Sequence, residues 1–138
     1  MSNWLTKSNI SSDIANQFSS GISFDIAVHC SYYSCVQLMY HKLDSYFNLD
    51  QMEIDLIANP KINKNKITTH VALSNYFNKD IRTKHRQSAF NFNNDLIELK
   101  QSRVTADYSK DSVGRQICEA ALKLELNIKT TLNKYYDC

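Results

Sequence analysis

Residues 23–47 read SFDIAVHCSYYSCVQLMYHKLDSYF, and this stretch decides the fold of the 138-residue chain. Apolar side chains recur in it at steps of three and four, the spacing of one face of an α-helix. They are Ile26, Cys30, Tyr33, Val36, Tyr40, Leu43 and Phe47. The neighbouring faces are also largely apolar. A helix that is apolar around most of its circumference is buried, so we predict that this segment is a central helix.

Four further helices are predicted on either side of this segment from the same periodicity. They cover residues 3–19, 66–78, 87–106 and 111–136. In the first of them, Ile10, Ile14 and Phe18 form the expected apolar stripe, and Gly21 follows its end. Asp111 is expected to be the N-cap of the last helix, because its carboxylate can accept backbone N–H groups.

The connections between these helices are predicted to be polar. Residues 48–65 include Asn59-Pro60, and a residue before proline is disfavoured in the helical region. This connection also has the apolar residues for a short helix, namely Met52, Ile54, Leu56 and Ile57. Residues 79–86, KDIRTKHR, are expected to form a charged loop.

The composition favours one all-α domain over residues 1–138. The chain contains only two Gly and one Pro, whereas sheet-rich domains need many of both for tight turns. A hydrophobic content of 43% excludes a disordered chain. Because helices joined by short loops tend to pack antiparallel, we predict an antiparallel four- to five-helix bundle.

Several function classes find no support in the sequence. Two glycines cannot build a phosphate-binding loop, and the four cysteines lack metal-ligand spacing, so we expect neither a cofactor nor a metal. The net charge of +2 does not indicate a polyanion-binding surface. No run approaches the ~20 apolar residues of a membrane span, and no signal peptide is recognisable. We therefore expect a cytoplasmic protein without a membrane partner.

The most distinctive polar group is Arg103, Asp107 and Tyr108, within LIELKQSRVTADY at residues 96–108. Arg103 and Asp107 are one helical turn apart, so they can form an ion pair. The purely structural interpretation is that Arg103 and Asp107 close the helix end while Tyr108 packs. The functional interpretation makes all three candidate catalytic residues.

A second polar group lies on the central helix, where His29 and Tyr33 share one face beside Tyr32. Buried tyrosines of this kind are most often core residues whose hydroxyls reach a polar partner. If the helix carrying Arg103 packs against the central helix, these side chains are its natural neighbours. His70, at the start of the 66–78 helix, is the last candidate for a supporting position in the same cleft.

Three segments of this chain resemble the HEPN superfamily in sequence and in order. They are AVHCSYYSCVQLMYHKL, KITTHVALSNYF and DLIELKQSRVTADYS. The similarity is greatest to its prokaryotic branch, whose helix ends in an L-x-x-x-R-x-x-A-D-Y signature. That signature is here Leu99, Arg103, Ala106, Asp107 and Tyr108. The resemblance covers nearly the whole chain and implies a helical bundle that forms a homodimer, with the Arg-bearing segments near a shared cleft.

The resemblance also implies association with RNA or nucleotides. Many HEPN proteins are metal-independent ribonucleases, often toxins of toxin–antitoxin or defence systems, and are frequently encoded beside a nucleotidyltransferase. Their active motif is an Arg followed by a His, with four to six residues between the two. This chain has Tyr108, Ser109 and Lys110 at those positions, so the His is missing.

RNA self-cleavage needs a base for the 2′-OH proton, an acid for the leaving oxygen and a cation beside the phosphate. Arg103 can be the cation. Tyr108 is a poor base, because tyrosine has a pKa of about 10. Our first hypothesis is therefore a module that binds RNA, a nucleotide or a partner such as a nucleotidyltransferase. The alternatives are a ribonuclease toxin using Arg103 with Asp107, Tyr108 or a nearby His, and a non-catalytic scaffold.

Overall fold

The structure, a computed structural model, describes residues 3–18, 23–62 and 68–138. These ranges form six α-helices and no strand, which confirms the all-α prediction. The helices are α1 Trp4–Phe18, α2 Phe24–Ser45, α3 Gln51–Ala58, α4 Thr69–Lys84, α5 Arg86–Tyr108 and α6 Arg115–Tyr135. The expected helix break at 19–21 and the expected start of a helix at residue 66 lie outside the described residues.

Helix α2 is central, as predicted, and contacts each of the other five helices. Its first turn is capped by Ser23, whose Oγ accepts the Ile26 N–H at 3.3 Å. The buried face is rotated from the predicted stripe, because Ile26 is exposed and small residues such as Ser31 and Ser34 are buried. Although α2 has 22 residues, neither it nor another helix of the described ranges is long and apolar enough to cross a membrane.

Helix α1 packs on α2 through small side chains, and the predicted stripe of α1 is wrong at Ile10, whereas Phe18 packs against the core. Ile10 is 53% exposed, whereas Ser8 and Ala15, two turns apart, are buried. The Ser8 Oγ donates to the Ser34 carbonyl at 2.6 Å. Small residues let the two backbones come close, so the larger isoleucine is left on the outer side of α1.

The connection at 48–65 contains the short helix α3. Asp50 and Glu53 form a capping box, in which each side chain accepts a backbone N–H of the other residue, at 2.8 and 3.2 Å. The helix ends at Ala58, and Asn59 is extended. The predicted break before Pro60 is thus confirmed.

The predicted loop at 79–86 is wrong, because α4 continues to Lys84 and only His85 separates it from α5. Ile81 is fully buried one turn after Phe77, which extends the apolar face of the helix. Asp80 and Lys84 pair at 3.2 Å across one turn of the helix. The charged run is therefore the solvated side of a helix.

Asp111 is not the N-cap of the last helix, because Gly114, three residues further along the chain, occupies that position. Val113 is buried before the helix starts, and its backbone N–H donates to Asp25 Oδ1 at 2.8 Å. This anchor joins the α5–α6 connection to the first turn of α2. Val113 is thus held in the core ahead of α6, which begins only after the extended residue Gly114.

An aromatic cluster closes the end of the core where α2 and α4 meet the residues after α6. Phe77 and Tyr136 are fully buried, with ring centroids 5.3 Å apart. The Tyr136 ring also contacts Tyr46 and Phe47, at 5.1 and 5.3 Å. Its hydroxyl donates to Asp80 Oδ2 at 2.7 Å. Residues beyond the last helix are therefore part of the core.

Candidate functional site

Arg103 lies on the inner face of α5 against α2, and only 7% of it is exposed. Its guanidinium carbon is 5.2 Å from the Tyr32 ring centroid and 5.7 Å from that of Tyr33. Aromatic faces attract a cation through their quadrupole, so the two rings support the guanidinium. The prediction that the two tyrosines are neighbours of Arg103 is confirmed. The contact with the guanidinium is made by the tyrosine rings and not by the tyrosine hydroxyls.

The hydrogen bonding of Arg103 is incomplete. Nη1 donates to Asp107 Oδ2 at 3.4 Å, a long distance for a charged pair. This contact confirms the predicted ion pair. The Nε–H is buried and has no acceptor in the described part of the chain. A buried guanidinium with an unused donor carries a free-energy cost.

Asp107 makes a tighter contact with His29 than with Arg103. The Nδ1 atom of His29 lies 2.9 and 3.0 Å from the two carboxylate oxygens. The imidazole also packs on the Tyr33 ring at 4.6 Å, and 45% of the His29 side chain is exposed. Because the carboxylate fixes one ring nitrogen, Nε2 is left for solvent or a ligand.

His70 joins the same group from the first turn of α4, where its Nδ1 accepts a hydrogen bond from the Tyr32 hydroxyl. Burial raises the pKa of Tyr32. Burial, with Arg103 and Lys100 nearby, lowers the pKa of His70 to about 4. A protonated phenol therefore donates to a neutral imidazole at physiological pH.

Acidification should destabilise the fold through His70. Its pKa falls from 6.5 to about 4 on folding, so between these values the unfolded chain binds more protons. Stability is thus complete above pH 6.5 and is lost as the pH falls, by about 1–2 kcal/mol after allowance for partial exposure. Thermal unfolding of the wild type and of His70→Gln measures this loss. Parallel Tm–pH curves for the two proteins would refute the assignment.

A cavity of about 250 Å³ lies beside the Tyr32–His70 pair, between α2, α4 and α5. Its apolar wall is Met39, Val71, Leu96 and Ile97. Lys100, one turn before Arg103 on α5, adds a cation to the same wall. A space with a largely apolar lining therefore lies next to these polar side chains.

Most of the predicted residues come together in the structure. Arg103, Asp107, His29, Tyr32, Tyr33 and His70 form one connected group, which we name the Arg103 cluster. Tyr108 is separate, because it is 76% exposed at the end of α5. Lys100 was not predicted, although its spacing of three residues from Arg103 places both on one side of a helix.

Comparison with protein-family models, with curated proteins and with solved structures finds no match to this chain. The functional assignment therefore depends on the geometry of the Arg103 cluster and on the sequence signature around Arg103.

Proposed function

We propose that this chain is a HEPN-type helical module that binds RNA or a nucleotide through phosphate recognition by the Arg103 cluster. The observation that carries the proposal is the buried guanidinium with an unused Nε–H donor. Guanidinium groups bind phosphate oxygens with two parallel hydrogen bonds, a geometry that neutral donors do not match.

The charge arrangement supports an anion at this position. Asp107 is bound at short distance by His29 and at 3.4 Å by Arg103, so a phosphate can replace it at the guanidinium without leaving the carboxylate unpaired. The net charge of +2 argues against strong nonspecific binding, so affinity should depend on this cluster.

Binding of a fluorescent single-stranded RNA oligonucleotide, without metal, tests the proposal. We expect Arg103→Met to weaken binding at least about tenfold, because a hydrogen bond to a charged group contributes about 1.5–3 kcal/mol. Arg86→Met removes an exposed cation from the start of α5 and should leave affinity within about twofold.

Unchanged affinity in a folded Arg103→Met protein would contradict the proposal. A third outcome identifies the scaffold alternative. In that case neither the wild type nor Arg103→Met binds RNA. The substitution then lowers the free energy of unfolding by about 3–5 kcal/mol, because it breaks a buried ion pair.

A metal-independent endoribonuclease is the second candidate, and the His29–Asp107 contact favours it. The signature lacks its own His, but α2 brings His29 to the same carboxylate as Arg103. In this arrangement Asp107 orients the imidazole, and Nε2 takes the 2′-OH proton. Arg103 would stabilise the charge that develops on the phosphate. The module ranks first, because the cluster shows no second proton donor suited to the leaving oxygen among the described residues.

Incubation of the same RNA with a chelator present distinguishes the two candidates. A ribonuclease would cleave it, and His29→Gln would abolish cleavage while retaining binding. Cleavage that survives both His29→Gln and Arg103→Met would come from another site or from a contaminant.

We extend the proposal to a cytoplasmic homodimer with a nucleotidyltransferase-type partner in a toxin–antitoxin or defence system, as the resemblance implies. Four free thiols are consistent with a reducing compartment. Met52 and Leu56, one turn apart on α3, are exposed apolar side chains suited to a protein contact. Light scattering of the purified chain measures the dimer.

A further inference from the structure

Cys138 lies in a polar cluster on the opposite half of α2 from the Arg103 cluster. The Sγ atom is 3.7 Å from Lys42 Nζ and 3.8 Å from His41 Nε2. The thiol is exposed, whereas Cys35 and Cys118 are buried and Cys30 is half-buried. Among the four cysteines, Cys138 thus combines access for reagents with two basic neighbours.

Lys42 gives the cluster its charge. It is only 3% exposed, although lysine is almost never buried without a partner. In the described part of the chain its ammonium has no carboxylate within ion-pair distance, and its polar side-chain contact is the sulfur of Cys138. A buried cation stabilises an anion that forms beside it, and the atom beside it here is the Cys138 sulfur.

His41 provides a place for the thiol proton. Its Nδ1 lies 3.4 Å from the Ser45 hydroxyl, and its Nε2 is directed to Cys138. Burial and the adjacent Lys42 lower the pKa of His41, so the neutral imidazole predominates near neutral pH. With Nδ1–H donating to Ser45, Nε2 is the acceptor that faces the sulfur.

We propose that Cys138 is a modification site that reacts with low-molecular-weight disulfides. The thiol passes its proton to His41 Nε2, and Lys42 stabilises the resulting thiolate. The thiolate attacks one sulfur of the disulfide, so a new S–S bond forms as the old bond breaks. The other half leaves as a thiolate and takes the proton from His41. The product is a mixed disulfide on Cys138.

Oxidised glutathione is the probe, and peptide mass spectrometry locates the added glutathionyl group over time on the folded chain. We expect Cys138 to react about tenfold faster than Cys30. Lys42→Met should slow modification of Cys138 about tenfold, because the variant loses the cation but keeps the side-chain volume. Lys123→Met, an exposed position on α6, is the matched control and should leave the rate unchanged.

His41→Gln tests the cluster from its more exposed side and should slow the reaction severalfold. If the circular dichroism spectrum of Lys42→Met differs from that of the wild type, the rate measured for His41→Gln becomes the test of the proposal. The proposal is overturned if Cys30 is modified first, or if every folded variant modifies Cys138 at the wild-type rate.

Discussion

Phe77→Ala should lower the free energy of unfolding by about 3–5 kcal/mol, as expected for a large aromatic residue removed from a core. Phe77 is fully buried and contacts the rings of Phe47, Tyr76 and Tyr136, at 6.0, 5.7 and 5.3 Å. The cavity left by alanine has rigid aromatic walls, so it cannot collapse easily. Urea unfolding followed by circular dichroism measures the change.

Phe90→Ala is the matched control for this prediction. It makes the same chemical change on the neighbouring helix α5, but Phe90 is 63% exposed. We expect a loss within about 0.5 kcal/mol there. Equal losses at the two positions would show that the burial assigned to Phe77 is wrong.

Tyr136→Ala should lower the free energy of unfolding by a similar amount, about 3–5 kcal/mol. Although Tyr136 follows the end of α6, it is fully buried against Tyr46, Phe47 and Phe77. The substitution also leaves Asp80 without the hydroxyl that donates to it. The same urea titration measures the effect.

Two further variants separate the contributions of Tyr136. Tyr136→Phe keeps the ring and removes only the hydrogen bond, so we expect a loss of about 1 kcal/mol. Tyr108→Ala removes an exposed tyrosine and should change stability little. A Tyr136→Ala protein as stable as Tyr108→Ala would contradict docking of this segment into the core.

The sequence predicted the helices well where large apolar residues carry the packing. The periodicity of residues 23–47 was sufficient to identify α2 as central. It missed the buried face of α1 in part, because Ser8 and Ala15 are buried there and neither is distinctive in a hydrophobic pattern. The prediction was also wrong at 79–86, because the many charged residues there suggested a loop. Ile81 is nevertheless buried, and Asp80 and Lys84 are paired one helical turn apart.

The contacts of the candidate site that lie within one helix could be predicted from the sequence. Arg103 and Asp107 are four residues apart, so their ion pair follows from helical spacing. The His29–Asp107 contact joins residues 78 positions apart, and it exists only because α2 and α5 pack together. Tyr32 and His70 likewise meet through tertiary packing of α2 and α4. Periodicity cannot supply such distances, nor the unused Nε–H of Arg103.

His85 fixes the residue at which α5 begins. Its backbone N–H donates to the Ile81 carbonyl at 2.8 Å, and its Nδ1 accepts the Ser88 N–H at 3.1 Å, so a single residue ends α4 and begins α5. One residue inserted in α5 between this cap and Arg103 would turn the residues after it by about 100° about the helix axis, relative to the capped first turn. Arg103, five turns further along, would then face away from Tyr32 and Tyr33. The direction of the guanidinium thus depends on the number of α5 residues between the His85 cap and Arg103.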